Sequence, residues 1–308
     1  MLRFSFPSAN GSTELAAYRT QTDAPQALVQ ISHGMCEYFL RYESFAEYLS
    51  ENRFLVFGHD HVGHGHSAKV PEELGYIPGK NGADVLAEDV HQLACLLKKE
   101  YPDLPIILLG HSMGSFVARS VLEKYPDTYS SAIIMGTAGP DMPTGMGGLL
   151  ASLIIAFCGE RHRSKLLRGI SFAGYNKRYE KGCPENAWLT RDTAVVERYD
   201  RDPFCGFVFT ARAYRVLFTL LGSVSRKEWA QTISKDKPLL LVSGKDDPVG
   251  GWGKGVEKIY TRLKNAGLTR VSLSLYPEMR HEILNELSCQ TVWSDLLTWM
   301  QESIKSQN

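Results

Sequence analysis

The pentapeptide GHSMG, Gly110 to Gly114, lies between the apolar run PIILL and the segment GSFVARSVLEKYP, whose Val117, Val121, Leu122 and Tyr125 share one helical face. A Gly-x-Ser-x-Gly between a strand and a helix lifts its serine out of a sharp turn, and the flanking glycines leave room for backbone passing nearby. Ser112 is therefore the candidate nucleophile. At the start of the following helix, the Met113 amide is a candidate donor to a developing oxyanion, aided by the helix dipole. A serine hydroxyl needs a base, and the base needs an orienting acid. Asp246 and Asp247 follow the strand-like LLLVSG, at the carboxyl end where ligands bind in open parallel sheets, and either can be the acid. His281 follows the next strand-like run, VSLSLYPEM, and is the candidate base. A second oxyanion donor is the amide of Met35, after His33 and Gly34 in ISHGMCEY.

A different chemistry is suggested by FGHDHVGHGHS, Phe57 to Ser67, which carries His59, His61, His64 and His66 around Asp60. The run invites comparison with the H-x-H-x-D-H ligands of metallo-hydrolases, but Gly63 stands where the carboxylate before His64 is required. The alternative is a turn-rich structural loop in which Gly63 and Gly65 supply backbone freedom and Asp60 bonds local amides. On that reading there is no metal.

To hold such groups together, the chain offers strand-like and helix-like segments in alternation. Short β-rich pieces come first (LRFSF, TELAAYRT, ALVQISHG), followed by the helix-like ESFAEYLSEN, the strand RFLVFGHD, the long helix GADVLAEDVHQLACLLKKEYP and the strands PIILLGHS and SAIIMGTAG. Near-continuous apolar strands separated by helices imply a mostly parallel sheet covered on both faces. The alternation stops after Pro140 and resumes near FTARAYRVLFTLL, then KPLLLVSG, VEKIYTRLKNAG, VSLSLYPEM and the amphipathic QTVWSDLLTWMQESI. The expected organisation is an α/β core over residues 1–140 and 206–308, interrupted by a helical insertion over 141–205.

At 308 residues and 44% hydrophobic content, the chain can bury a large core. Lys plus Arg and Asp plus Glu each number 34, so nothing favours capture of nucleic acid. The start has no apolar signal region, the six cysteines form no CxxC pairs, and LLASLIIAFC is too short to span a bilayer. The expectation is a cytoplasmic protein with reduced thiols.

Five segments, HGMCEYFLRYESFAEYL, VFGHDHVGHGHS, LLGHSMG, LVSGKDDPVG and YPEMRHEILNE, occur in an order that resembles the monoacylglycerol lipase and lysophospholipase family of α/β-hydrolases. The resemblance spans nearly the whole core. It implies the α/β-hydrolase fold with a helical cap, a serine esterase acting on monoacylglycerols or lysophospholipids, and no cofactor. By the same resemblance Ser112 is the nucleophile, Asp247 the acid (three residues after Gly244) and His281 the base. Cys36, Tyr38 and Gly250 depart from residues common in the family, which bears on head-group specificity. Substrate contacts are expected from Gly34 and, in the cap run GGLLASLIIAF, from Leu153 and Ile154; that run either shelters an acyl chain or makes transient contact with a membrane surface. Two rivals are a proline iminopeptidase-type peptidase, which needs a cap carboxylate such as Glu160, Glu180, Glu185 or Asp192 to hold a free amine, and a noncatalytic receptor on the same fold.

Overall fold

Uninterrupted aliphatic runs can be buried on both faces, and this chain has five of them in sheet order. The computed structural model describes residues 1–305. Its strands are β1 (Leu2–Pro7), β2 (Glu14–Arg19), β3 (Ala27–Ser32), β4 (Phe54–His59), β5 (Ile106–His111), β6 (Ser131–Met135), β7 (Leu239–Gly244) and β8 (Val271–Tyr276). They form one sheet in the order β1-β2-β4-β3-β5-β6-β7-β8. Only β1–β2 and β2–β4 pair antiparallel; the remaining neighbours are parallel. Every residue of β3, β4, β5, β6 and β7 is buried. The chain leaves β3 for β4 on one side and returns to β5 on the other, so a crevice opens at the carboxyl ends of β3 and β5.

Helices α1 (Glu43–Glu51), α2 (Gly82–Glu100) and α3 (Met113–Lys124) belong to the first half of the core. Between β6 and β7 come α4 (Thr144–Cys158), α5 (Lys165–Ser171), α6 (Thr193–Arg201), α7 (Ala211–Val224) and α8 (Trp229–Thr232), and the chain closes with α9 (Lys254–Asn265) and α10 (Cys289–Lys305). One apolar layer joins the sheet to α2, α3, α7 and α9; the other joins it to α1 and α10. In α2, for example, Leu86, Val90, Leu93 and Leu97 fall on the buried stripe.

Residues 141–205 hold α4, α5 and α6 and contribute to the sheet nowhere; an isolated bridge joins Arg163 to Thr210. Side-chain caps start three helices here: Ser164 accepts from the Leu167 amide, Asp192 from those of Ala194 and Val195, and Thr210 from that of Ala213. Helix α7 packs against α4 on one side and α3 on the other, tying the insertion to the nucleophile-bearing helix.

Candidate active site

Ser112 stands between β5 and α3 with φ 54° and ψ −121°, a conformation costly for a residue with a Cβ. The turn is tight enough to dictate its neighbours. A Cβ on Gly114 would collide with the Ser32 carbonyl oxygen, and one on Gly110 would sit 2.6 Å from the Ala118 Cβ. The elbow is held to the sheet by Ser112 N–H donating to the Met135 carbonyl at 3.0 Å.

His281 lies after β8 and Asp247 after β7, both on turns at the same end of the sheet as Ser112. His281 Nδ1 donates to Asp247 Oδ2 at 3.0 Å. The carboxylate also accepts from Ser243 Oγ at 3.1 Å and from the Val249 amide at 2.8 Å. Burial by itself would push the Asp247 carboxyl up, but the His281 imidazole and these hydrogen bonds outweigh it and hold it below the usual carboxylate range. Asp246 points away: its side chain is exposed, and its backbone bonds Met279 and the Tyr179 hydroxyl. The other ring nitrogen of His281, Nε2, is buried without a hydrogen-bond partner. Ser112 and His281 line one cavity of about 620 Å³, together with Gly34, Met35 and Met113. Among the described residues no acceptor takes the amide of Met35 or of Met113, the latter being the first residue of α3.

Phe116, Leu217, Phe218, Leu221 and Met142 give the cavity an apolar wall from α3, α7 and the start of the insertion. Leu153 and Ile154 are not part of it. Leu153 is half exposed on the outer side of α4, and Ile154 packs against the core layer that includes α7. Sequence reasoning also missed Trp188, whose ring lies 5.0 Å from that of His281. Two main-chain bonds run alongside, His281 N–H to the Trp188 carbonyl (3.4 Å) and Glu282 N–H to the Leu189 carbonyl (2.7 Å), and the Arg280 guanidinium donates to the Ala187 carbonyl (2.6 Å).

Behind the cavity sits a buried ionic network that the sequence did not announce. Glu37 accepts from the Gly34 amide (2.6 Å), the Tyr42 hydroxyl (2.7 Å) and Arg41 (2.6 Å), and Arg41 forks onto both oxygens of Glu282 at 2.6 Å. His111, next to the nucleophile, bonds Tyr42 and Glu37. Burial pushes the Glu37 carboxyl up, but His111, Arg41 and His33 bring it below its ordinary value; burial lowers His111, and Glu37 more than reverses this. The i,i+4 spacing of Glu37 and Arg41, and Glu282 directly after the base, were the available signals.

The histidine loop is inside the protein. His59, His61, His64 and Asp60 are at most 1% exposed. Asp60 accepts the amides of Phe39 and His66, each at 2.8 Å, and Gly63 and Gly65 have positive φ of 73° and 45°. Among the described residues no group of three or more His, Cys, Asp or Glu could hold a metal.

Of the cap carboxylates that a peptidase could use, Glu185 alone lines the cavity. Glu160 takes a fork from Arg212, Asp192 caps α6, Glu185 pairs with Arg168 at 2.9 Å, and Glu180 is exposed.

The chain is similar to known proteins over most of its length. The chain is 27% identical over 302 residues to the monoglyceride lipase of Rattus norvegicus, covering 96% of this chain and 89% of the relative. It is 27% identical to the monoacylglycerol lipase of Mycolicibacterium smegmatis, over 96% of this chain and 95% of that one. A thermostable carboxyl esterase from Bacillus coagulans, solved in complex with glycerol, superposes with a TM-score of 0.92 at 28% identity, covering 98% of each chain. Residues 23–288 match the family model Hydrolase_4, described as "Serine aminopeptidase, S33", and the chain belongs to that family of α/β-fold hydrolases.

Proposed function

We propose that this chain is a serine hydrolase of carboxylic esters, with monoacylglycerols or lysophospholipids as its substrate class. The observation that carries the reading is a buried Asp247–His281 pair facing the same cavity as a serine held in a strained elbow. His281 accepts the Ser112 proton through Nε2 as the hydroxyl attacks the ester carbonyl, and Asp247 orients the ring and stabilises its charged form. The amides of Met35 and Met113 receive the tetrahedral oxyanion. The alcohol departs with the proton from His281, and water activated by the same ring hydrolyses the acyl-enzyme. Ser112 and His281 line the same cavity and Nε2 is buried without another partner, and contacts between nucleophile and base of this kind tighten in the complex with substrate. No step calls for a cofactor.

The apolar wall of α3 and α7 suits an acyl chain, each buried methylene contributing up to ~0.8 kcal/mol. Ester substrates are favoured over aminoacyl amides because Glu160 is held by Arg212, Asp192 caps α6, and Glu185, at the cavity, is paired with Arg168. Met146, Leu149, Leu153 and Phe157 form an exposed stripe on α4, continued by Leu166 and Ile170 on α5. This face is the part of the cap that meets a lipid surface while the cavity takes up its substrate. Among the described residues no helix is long and apolar enough to cross a membrane.

The test is turnover on 1-monoacylglycerols, lysophospholipids, p-nitrophenyl esters and aminoacyl amides by wild type and three variants. Ser112→Ala is expected to lose roughly 10⁴-fold or more in kcat, and Asp247→Asn roughly 10³- to 10⁴-fold. Asp246→Asn stays within a few-fold. Ser112→Ala retaining a tenth of wild-type activity, or no labelling of Ser112 by a fluorophosphonate, would sink the reading.

A further inference from the structure

The Met35 N–H and the Gly34 C=O are two ends of one peptide group, and the chain has no cis bonds. In a planar trans peptide they point in opposite directions, so whatever holds the carbonyl aims the amide. The Gly34 carbonyl is held by the preceding side chain: His33 Nδ1 donates to it at 2.8 Å. The other ring nitrogen, Nε2, accepts the main-chain N–H of His61 at 2.9 Å. A carbonyl oxygen only accepts and a backbone amide only donates, so these partners fix His33 as the neutral ring with its proton on Nδ1.

Nothing around the ring lets it turn. His33 is fully buried, with the His61 ring at 4.3 Å and the His64 ring at 5.2 Å. His61 is itself anchored through Nε2 to Ser32 Oγ at 3.0 Å. On the far side of Gly34 its N–H is taken by Glu37, and a Cβ at this position would lie 2.6 Å from the Glu37 carboxylate and 3.1 Å from the Ser112 Cβ. The loop bearing Met35 is thus gripped at both peptide groups of Gly34.

We propose that His33 is a positioning residue that aims the Met35 amide at the oxyanion, and that the histidine loop serves the reaction by locking the tautomer that does so. This rests on Met35 being an oxyanion donor, as proposed above. As charge builds on the substrate oxygen, the Gly34–Met35 peptide polarises and its carbonyl draws more strongly on His33 Nδ1–H. The bond therefore tightens in the transition state more than in the ground state, and its loss falls on kcat rather than KM.

Two substitutions separate the two nitrogens. His33→Gln offers an oxygen near the place of Nε2, keeping an acceptor for the His61 amide, but leaves the Gly34 carbonyl without its donor. His33→Asn puts an amide N–H near the place of Nδ1 and drops the His61 contact. With p-nitrophenyl butyrate, the Gln variant is expected to lose roughly ten- to a hundredfold in kcat with KM within twofold and little change in melting temperature. The Asn variant recovers most of that kcat while melting lower. The opposite ranking, or kcat following melting temperature in both variants, overturns the inference. A readout on the wild-type protein holds even if a variant does not fold. In ¹⁵N-labelled enzyme, the His33 ring should give the shifts of the neutral Nδ1–H tautomer, with that proton moving downfield when a trifluoromethyl ketone forms its hemiketal oxyanion on Ser112. An Nε2–H tautomer, or an unmoved resonance in the adduct, overturns it. Failure of the ketone to attach to Ser112 would instead defeat the underlying reading of the site, so the two failures are distinguishable.

Discussion

A histidine-rich stretch of this chain is inside it, and a strongly apolar helix turns one face outward. His59, His61 and His64 are at most 1% exposed, whereas Leu149 and Phe157 on α4 are 62% and 86% exposed. Composition alone would have ordered them the other way. Imidazoles can be buried when backbone groups or a hydroxyl meet some of their nitrogens and the rings pack on one another, as His33, His61 and His64 do. An apolar stripe left in water is instead a surface waiting for an apolar partner. The lesson is that burial follows what a segment can be matched with, and each region has been matched to a different medium.

The comparison breaks first if the histidine loop tolerates a change of backbone. Gly63 has positive φ, and a Cβ there would strike the backbone of Tyr76. Gly63→Val is expected to destabilise the protein by several kcal/mol, roughly 3 or more, and to lower activity with it, measured by denaturant unfolding. A loss under ~1 kcal/mol would mean the loop is not tightly built.

Acid should find the same loop next. Burial lowers His59 and His64 from their ordinary value to about 3. As pH falls below about 6.5 the unfolded chain binds protons that the folded one refuses, so the stability is complete above that pH and drains away as pH falls toward 3. His59→Phe, at a ring with neither nitrogen hydrogen-bonded, should flatten that decline between pH 6.5 and 4 by up to ~3 kcal/mol, read from melting curves at each pH. Identical slopes in both proteins would remove His59 from the account.

A smaller effect is expected at the other region. Leu149→Ser with Phe157→Ser should lower binding to phospholipid vesicles by roughly tenfold, with melting temperature and turnover of a soluble butyrate ester unchanged. Equal loss on soluble and vesicle-borne substrate would show that α4 acts on the cavity and not at a surface. The smallest effect is none: dialysis against a strong chelator leaves activity and melting temperature as they were. Activity lost to the chelator and restored by one metal would reopen the histidine run as a ligand set.

Much of the core was legible because local pattern and global position agree there. The strand runs PIILLGHS and LLLVSG end where Ser112 and Asp247 begin their turns, and the Ser, Asp, His order follows the sheet. The residues by themselves left Asp246 and Asp247 open and only the family resemblance pointed to Asp247, because which of two adjacent carboxylates on a turn is buried and meets His281 is settled by the fold. The Glu37–Arg41–Glu282 network joins residues 241 positions apart, so its members look like ordinary surface charges in the sequence. For α4, helical periodicity is smeared by apolar residues on every side, and the sequence could not say which faced inward. The cavity wall came from Leu217, Phe218 and Leu221, in a segment that read only as the place where the regular alternation resumes.

The main-chain bonds from His281 and Glu282 to Trp188 and Leu189 make the trailing part of the cap and the loop of the base a single mechanical piece. Tyr179, bonded to the Asp246 carbonyl, fastens the acid's loop to the same strip. A swing of the whole cap would pull on the loops of both the base and the acid. The geometry of base and acid is therefore set in part from outside the sheet, by the strip around Trp188 and Leu189.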